Sequence, residues 1–220
     1  MYLMKNFLFV IACIALLSGC GMSAEEEIFT HLENAVGLEA NFEKQQQPLV
    51  ELEKKEQTIY EKIIKLGMSE FEQIKGLSQE AIEVVNERES RIEKEKESIE
   101  SSKKEFLLTE SKVGKLKDEK MKTNAEDLLK VMNQRYESYD KLYKNYKNAI
   151  ALDRELYEMF QKEELTLEQL EMQVKKINEM YDNVVKENER FNELTDTYNK
   201  KKKEFYLAAD LNVVFDDTAK

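Results

Sequence analysis

Residues 167–205 read LEQLEMQVKKINEMYDNVVKENERFNELTDTYNKKKKEF, and this stretch decides the predicted fold. A set of mostly apolar positions recurs there at alternating steps of three and four: Leu167, Leu170, Val174, Ile177, Tyr181, Val184, Asn188, Phe191, Thr195, Tyr198, Lys202 and Phe205. This spacing aligns the side chains along one face of an α-helix. Because the pattern lasts over several heptads, it predicts a helix that packs through a coiled-coil-like seam. We interpret Asn188, a polar seam residue, as fixing the register of that packing rather than as a ligand.

Three earlier segments repeat the pattern and complete the fold. The predicted helices cover residues 24–66, 69–110, 123–162 and 166–209. Each of them starts with Ser or Thr followed three residues later by Glu or Gln, as in a capping box: Ser23–Glu26, Ser69–Glu72, Thr123–Glu126 and Thr166–Gln169. Similar lengths and short connections favour antiparallel neighbours. The predicted fold class is all-α, an elongated up-down-up-down four-helix bundle with coiled-coil-like packing over residues 25–209.

The single proline of the chain, Pro48, lies inside the first predicted helix. Proline removes a backbone hydrogen bond and clashes with the preceding turn, so the helix must bend or restart there. We favour a kink at Gln45–Gln47 over a restart with Pro48 at the first helical position, because the apolar pattern continues after Pro48 in nearly the same phase.

Charged and aromatic residues occupy several seam positions. Arg88 and Glu95 lie on the seam of the second helix, where they could form a buried functional pair. We favour the commoner arrangement, in which long side chains extend from a narrow seam to water. Tyrosines such as Tyr139 and Tyr146 recur on the third helix and could stack on sugars, although their seam spacing favours packing in the core.

The composition argues against an enzyme. The formal net charge is −11, charged residues make up 36%, and there is one Pro and no Trp, as expected of long helices with solvated faces. His31 is the only histidine, and we interpret it as an exposed residue of the first helix. No histidine-based catalytic or metal cluster, phosphate-binding glycine loop or nucleophile elbow can be identified. We therefore predict a non-catalytic protein without cofactor or metal that repels nucleic acid.

The first nineteen residues have the features of an export signal. Lys5 precedes an apolar run from Phe7 to Leu17, which is too short to span a bilayer. The run ends at Leu17-Ser18-Gly19-Cys20, which resembles the lipobox of bacterial lipoproteins. That resemblance implies cleavage between Gly19 and Cys20, a diacylglycerol on the Cys20 sulfur and often an acyl group on its new amine. A stray thiol is the alternative reading of Cys20, but four matching positions argue against it.

These features divide the chain into a signal peptide at residues 1–19, a lipidated anchor at residues 20–24, the helical domain and a flexible tail at residues 210–220. Two or more acyl chains hold a protein durably on a membrane. The predicted location is the extracytoplasmic face of the cell membrane.

The predicted topology brings the connection at 111–122 and the end of the last helix back to the membrane end. The connection is rich in lysine, and Lys200, Lys201, Lys202 and Lys203 form a basic run near the end of the last helix. A basic run at a helix C-terminus needs no further role, because cations are favourable there. Its predicted location adds the hypothesis that Lys200–Lys203 contact anionic lipid headgroups.

The chain also resembles the YkyA-type cell-wall-binding lipoproteins of Gram-positive bacteria. The stretches that carry the resemblance are the lipobox Leu17–Cys20, Gln46–Leu49 with Glu51–Gln57, Ile63–Met68 with Glu70–Phe71, Thr166–Leu170, Asp196–Asn199 and Lys203–Tyr206. The resemblance implies an up-and-down helical bundle and a role at the cell wall. It supplies no catalytic or binding residues.

Two functions are compatible with these observations. The first is a lipid-anchored protein that binds peptidoglycan or acts as a spacer. The second is an interaction module for a membrane-bound envelope enzyme or transporter, docking through an exposed face near Met68 and Leu165. Sedimentation with insoluble peptidoglycan favours the first, and a crosslinked membrane partner without such sedimentation favours the second.

Overall fold

The computed structural model describes residues 22–211 and 213. Helices account for nearly all of this part of the chain, and no strand occurs among the described residues, which confirms the predicted all-α class. The α-helices are α1 (Ala24–Leu38), α2 (Ala40–Ile63), α3 (Phe71–Phe106), α4 (Glu110–Val113), α5 (Glu119–Met159) and α6 (Leu167–Ala208). Two short 3₁₀ helices, Met68–Glu70 and Leu107–Thr109, lie directly before and after α3.

Two helix starts follow the predicted capping boxes. At α1, the Glu26 amide donates to Ser23 Oγ at 3.2 Å, and the Ser23 amide donates to Glu26 Oε2 at 2.8 Å. Before α6, the corresponding bonds between Thr166 and Gln169 measure 3.2 and 3.1 Å. These reciprocal bonds satisfy amide groups that a helix N-terminus leaves without partners.

The other two predicted boxes are wrong because each helix starts earlier. The 3₁₀ helix before α3 starts after Gly67, whose amide donates to Glu70 Oε2 at 3.1 Å. Helix α5 starts at Glu119, where the Met121 amide donates to Asp118 Oδ1 at 2.8 Å. The Thr123 hydroxyl is already inside α5 and donates to the carbonyl of Glu119. At the first start the Glu70 carboxylate reaches back to the Gly67 amide, and at the second the Asp118 carboxylate, directly before α5, accepts from the first turn.

The interruption of the first helical segment lies at Glu39 and not at Pro48. Helical assignment stops at Leu38 and resumes at Ala40. Pro48 is inside the continuous helix α2, so the alternative of a new helix starting at Pro48 is wrong. A bend at Gln45–Gln47 stays a prediction.

The contacts divide the predicted helical domain into two compact units. Unit 1 comprises the described parts of Met1–Ala40, Ser98–Ser138 and Glu189–Lys220, and unit 2 comprises Asn41–Glu97 and Tyr139–Asn188. Unit 1 contains α1 and the connection from α3 through α4 to α5. Unit 2 contains α2 and the turns that precede α3 and α6. Parts of α3, α5 and α6 belong to each unit, so each unit is built around four long helical segments.

Neighbouring segments run antiparallel within each unit. In unit 2, Gln46 of α2 bonds to Glu95 of α3, whereas the later Glu56 bonds to the earlier Arg88. In unit 1, Arg135 of α5 bonds to Thr195 of α6, whereas the earlier Asp127 bonds to the later Lys201. Both units therefore have the predicted antiparallel packing of adjacent helices.

The core of each unit combines aliphatic side chains with aromatic pairs. In unit 1, the rings of Phe29 and Tyr206 lie 4.9 Å apart, and both residues are buried. In unit 2, Phe42 and Tyr139 meet edge to face at 5.7 Å.

None of the helices within the described ranges has the length and apolarity needed to cross a bilayer.

Candidate functional site

The basic run at Lys200–Lys203 does not form a uniform cationic surface. Lys202 is only 4% exposed, and its ammonium lies 3.1 Å from Glu33 Oε1. Lys201 pairs with Asp127 at 3.4 Å, and a hydrogen bond with Asp127 raises its pKa. The prediction that all four lysines contact headgroups is wrong for Lys202. This residue occupies a seam position of α6, and seam positions face the core. Lys200 is exposed.

The lysine-rich connection and the start of α1 lie together in unit 1. The Lys112 ammonium lies 2.9 Å from Glu27 Oε2, and the Lys115 ammonium lies 3.6 Å from the same oxygen. The Lys112 hydrogen bond, with Lys115 nearby, lowers the pKa of Glu27. Two lysines thus offset a carboxylate in the first turn of α1.

A buried arginine with one carboxylate partner organises unit 1. The Arg135 guanidinium binds Glu39 in a bidentate pair at 2.8 and 2.6 Å, and both side chains are 1% exposed. Arg135 Nε donates to Thr195 Oγ1 at 2.8 Å, and the guanidinium carbon lies 4.5 Å from the centre of the Phe191 ring. Ser102 donates a further bond to Glu39 at 2.9 Å. One cation and one anion balance each other here, and their hydrogen bonds offset part of the cost of burial.

A second buried arginine, Arg88, occupies unit 2 with two buried carboxylate partners and the half-exposed Glu53 at 4.0 Å. Its Nη1 donates to Glu56 Oε2 at 2.5 Å and to Asp153 Oδ2 at 2.9 Å. Arg88 also donates to the hydroxyl groups of Tyr146 and Tyr181 at 3.1 and 2.6 Å. Burial raises the pKa of Glu56 and of Asp153, even though Arg88 acts in the opposite direction. One cation therefore faces two carboxyl groups, which favours retention of a proton by the pair.

Glu95 is buried in unit 2 and does not pair with Arg88. It is 2% exposed, accepts a bond from Gln46 Nε2 at 2.5 Å and contacts the Tyr139 hydroxyl at 3.5 Å. Burial raises its pKa to about 8. The prediction that Arg88 and Glu95 extend to water is therefore wrong. The alternative of a pair between them is also wrong, because their partners come from other helices.

The tyrosines of α5 pack in the core, as the seam spacing predicts. Tyr139 and Tyr146 are 0% and 7% exposed, so their rings offer no open face to a sugar. Tyr143 is half-buried, and its hydroxyl donates to Glu93 at 3.0 Å. His31 was predicted to be exposed, but its side chain is only 21% accessible and its Nδ1 lies 2.8 Å from Glu105 Oε1.

An open cleft of about 730 Å³ lies in unit 2 where α5 turns into α6, and we name it the turn cleft. Its apolar lining is supplied by Met159, Leu165 and Met172, and its cationic lining by Lys162 and Lys176. Amides and carboxylates complete it: Glu155, Glu163, Glu164, Gln169 and Gln173. The volume is in the range of small-molecule sites.

The carboxylates of the turn cleft do not resemble a glycosidase pair. Glu155, Glu163 and Glu164 are all exposed to solvent. Glycoside hydrolysis needs one carboxyl group kept protonated by a desolvated environment, and exposed carboxylates lack that environment. Among residues 22–211 and 213, no group of three or more His, Cys, Asp or Glu side chains could hold a metal ion.

Several predicted features fall outside the described residues, namely the signal peptide, Gly19, Cys20 and most of the tail. Sequence reasoning also missed Glu39, Glu56 and Asp153 as buried partners. The sequence pattern that could have identified them is the spacing of the apolar seam, because each of these carboxylates continues the three-four spacing of its neighbours. Glu39, for example, lies between Ala35 and Phe42 at spacings of four and three.

Comparison with known proteins identifies relatives over almost the whole chain. The profile of the family YkyA, described as "Putative cell-wall binding lipoprotein", matches residues 23–208. The "Uncharacterized lipoprotein YkyA" of Bacillus subtilis (strain 168) is 34% identical over 203 residues, which are 92% of this chain and 91% of that protein.

A solved structure has the same fold. It is a crystal structure of a conserved protein of unknown function from Staphylococcus aureus, with a TM-score of 0.70 and 16% sequence identity. The match covers 83% of this chain and 93% of the other. At this identity the similarity describes the fold only.

Proposed function

Because the chain belongs to the YkyA family of lipoproteins, we propose that it is a lipid-anchored, non-catalytic protein that contacts the cell wall from the extracytoplasmic face of the membrane. The match of the family profile to residues 23–208 carries this proposal. The family description includes cell-wall binding, and the relative from Bacillus subtilis is named a lipoprotein.

The lipid anchor is proposed at Cys20, after cleavage between Gly19 and Cys20. Four residues of the lipobox type end an apolar run of suitable length. The described helices include none that could span a membrane, so the proposed attachment comes from acyl chains, each buried methylene of which contributes about 0.8 kcal/mol. Beyond the covalent diacylglycerol and an N-acyl group, the proposal requires no cofactor.

The turn cleft is the proposed contact for peptidoglycan. Stem peptides carry amide, carboxylate and ammonium groups, and glycan strands carry hydroxyl groups. Lys162 and Lys176 could bind carboxylates, and the exposed amide of Gln169 supplies a further polar group. Gln173 is buried and donates to the Leu152 carbonyl and to Glu155, so it shapes the wall of the cleft. Met159 and Met172 offer adaptable apolar contacts beside them.

The net charge of −11 favours such a local site over general adsorption. An acidic protein is repelled by anionic wall polymers, so attraction to the wall has to come from a confined set of groups. The turn cleft holds two lysines among three exposed carboxylates, so attraction there depends on matched ion pairs and hydrogen bonds with stem peptides, which carry both signs of charge, and not on net charge.

Sedimentation with insoluble peptidoglycan tests the proposal. The chain of residues 20–220 with Cys20→Ser should sediment with the wall, and Met172→Glu should reduce sedimentation because it places a charge on the apolar side of the cleft. Leu207→Glu is the matched control, since Leu207 is 64% exposed in unit 1 and Met172 is 52% exposed in unit 2. Equal sedimentation of both variants would remove the cleft from the proposal.

The alternative function is docking on a membrane-bound enzyme or transporter. Leu167 is 71% exposed at the start of α6, close in sequence to Leu165 of the turn cleft. Exposed apolar side chains beside a cleft are typical of protein interaction surfaces. Crosslinking from position 167 to a membrane protein, together with no sedimentation on peptidoglycan, would favour this function.

A further inference from the structure

Besides Leu38, the described residues of unit 1 include four exposed large apolar side chains. Met22, Leu107, Leu108 and Leu207 are 55%, 40%, 49% and 64% exposed. We name this set, together with the lysines of residues 103–122, the anchor-end surface. Scattered exposed leucines are ordinary, but two adjacent ones at a helix break next to a basic segment require an explanation.

Local structure explains why Leu107 and Leu108 both point outward. The α-helical assignment of α3 ends at Phe106, and a 3₁₀ helix covers Leu107–Thr109. Phe106 and Thr109 are fully buried, and the Thr109 hydroxyl donates to the carbonyl of Phe106 at 2.6 Å. The two leucines between these buried residues therefore lie on the solvent side.

The anchor-end surface lies beside the start of α1. Lys112, one turn after Leu108, lies 2.9 Å from Glu27 in the first turns of α1. Leu207 follows Tyr206, whose ring is 4.9 Å from that of Phe29.

The sequence limits the distance between Cys20 and the start of α1. Cys20 precedes the N-cap residue Ser23 by three positions, a span of at most about 11 Å when extended. This step depends on the proposed lipidation of Cys20, which would hold the start of α1 at the headgroups.

The local charge favours an anionic surface as the partner. Residues 103–122 contain seven lysines and four carboxylates, whereas the whole chain has a net charge of −11. Lys104, Lys117 and Lys120 are exposed. Glu105 lies 2.8 Å from His31, and Asp118 caps α5, so two of the four carboxylates are engaged within the protein. Two of the seven lysines, Lys112 and Lys115, are likewise engaged with Glu27.

We propose that the anchor-end surface contacts the bilayer directly, with Leu107 and Leu108 in the interfacial region and the neighbouring lysines on anionic headgroups. This contact orients unit 1 on the membrane, which acyl chains attached at a single residue do not do by themselves. Because Glu25 and Glu26 also lie at the start of α1, the apolar contact is required in addition to the lysines.

The absence of tryptophan from the sequence permits a direct test with one reporter. Leu108→Trp is introduced into residues 20–220 carrying Cys20→Ser, and emission is measured with vesicles of equimolar phosphatidylglycerol and phosphatidylcholine. Leu38→Trp is the matched control. Leu38 is 44% exposed in the same unit but lies at the C-terminal end of α1, about 21 Å along the helix from Ala24. We expect a shift to shorter wavelength for Leu108→Trp only.

A second variant measures the apolar contribution. Replacing Leu107 and Leu108 by Ser should weaken vesicle binding roughly tenfold, with unchanged helical circular dichroism.

Equal responses of the two tryptophan reporters, or none, would overturn the proposal. So would emission from Leu108→Trp that shifts with protein concentration in the absence of vesicles, because a second copy would then cover the leucines. The vesicle assay needs no acyl chain, whereas failure of the lipid anchor would be detected separately as absence of lipid on Cys20 in the native host.

Discussion

Each unit of this protein buries an arginine, but the two arginines have different surroundings. Arg135 in unit 1 faces one carboxylate, Glu39, in a bidentate pair in which the charges balance. Arg88 in unit 2 faces both Glu56 and Asp153, and the same unit buries Glu95 against Gln46 and Tyr139. Buried charge is tolerated only when it is paired or neutralised by a proton. The comparison therefore predicts that unit 2 depends on protons held by its buried carboxyl groups, whereas the buried pair of unit 1 depends on keeping both of its charged partners.

Glu39→Gln should have the largest effect, because it leaves the Arg135 charge buried without an anion. We expect the free energy of unfolding to fall by about 3 to 5 kcal/mol. Urea denaturation followed by circular dichroism measures this, with the exposed Glu43→Gln of α2 as the matched control. Replacing both Glu39 and Arg135 by Met should recover much of the loss. A loss below about 1 kcal/mol would contradict the role assigned to this pair.

Glu95→Gln should have an intermediate effect that depends on pH. The folded-state pKa of Glu95, about 8, is above the ordinary value of 4.5. The stability contributed by the protonated carboxyl group is therefore complete below pH 4.5 and is lost as the pH rises through about 8. Glutamine imitates the protonated form, so the variant should match the wild type near pH 4.5 and exceed it by about 1 to 3 kcal/mol above pH 8.

Denaturation of the Glu95→Gln variant across this pH range checks the prediction. Glu83→Gln is the control, because Glu83 is an exposed residue on the same helix. A difference between Glu95→Gln and wild type that does not change with pH would show that Glu95 is ionised throughout.

Glu56→Gln should have the smallest effect and gives the sharpest contrast with unit 1. Arg88 keeps Asp153 as its anion, and the variant removes one of two carboxyl groups that repel each other. We expect the free energy of unfolding at pH 8 to change by no more than about 1 kcal/mol. If Glu56→Gln were as damaging as Glu39→Gln, Arg88 would need both carboxylates, and the interpretation that Glu56 and Asp153 repel each other would be wrong.

The seam periodicity predicted the helices and the residues that pack between them, but it did not identify the partners of the polar seam residues. Lys202 shows the difference. Its position in the seam of the last helix predicts burial, whereas its place in the run Lys200–Lys203 suggests a surface role. Burial beside Glu33 occurs because the helical period applies to every side chain, and a partner on α1 makes the buried ammonium tolerable.

Helix starts were predictable only where the capping residues had no competitor. Ser23 and Thr166 cap their helices as predicted, because each is followed by a partner three residues later and no earlier acidic residue replaces it. Asp118 competes successfully with Thr123, since both residue types cap helices and local sequence does not rank them.

By itself, the sequence determined that this protein is helical, where most of its apolar side chains are buried, and that it has the features of a lipoprotein, because the helical period and the lipobox are local patterns. Only the tertiary structure decided that Arg135 meets Glu39, that Arg88 meets Glu56 and Asp153, and that Glu95 meets Gln46 and Tyr139. These partners come from different segments of the chain, up to 96 residues apart. Their charge balance depends on the packing of several segments at once, which no single segment encodes.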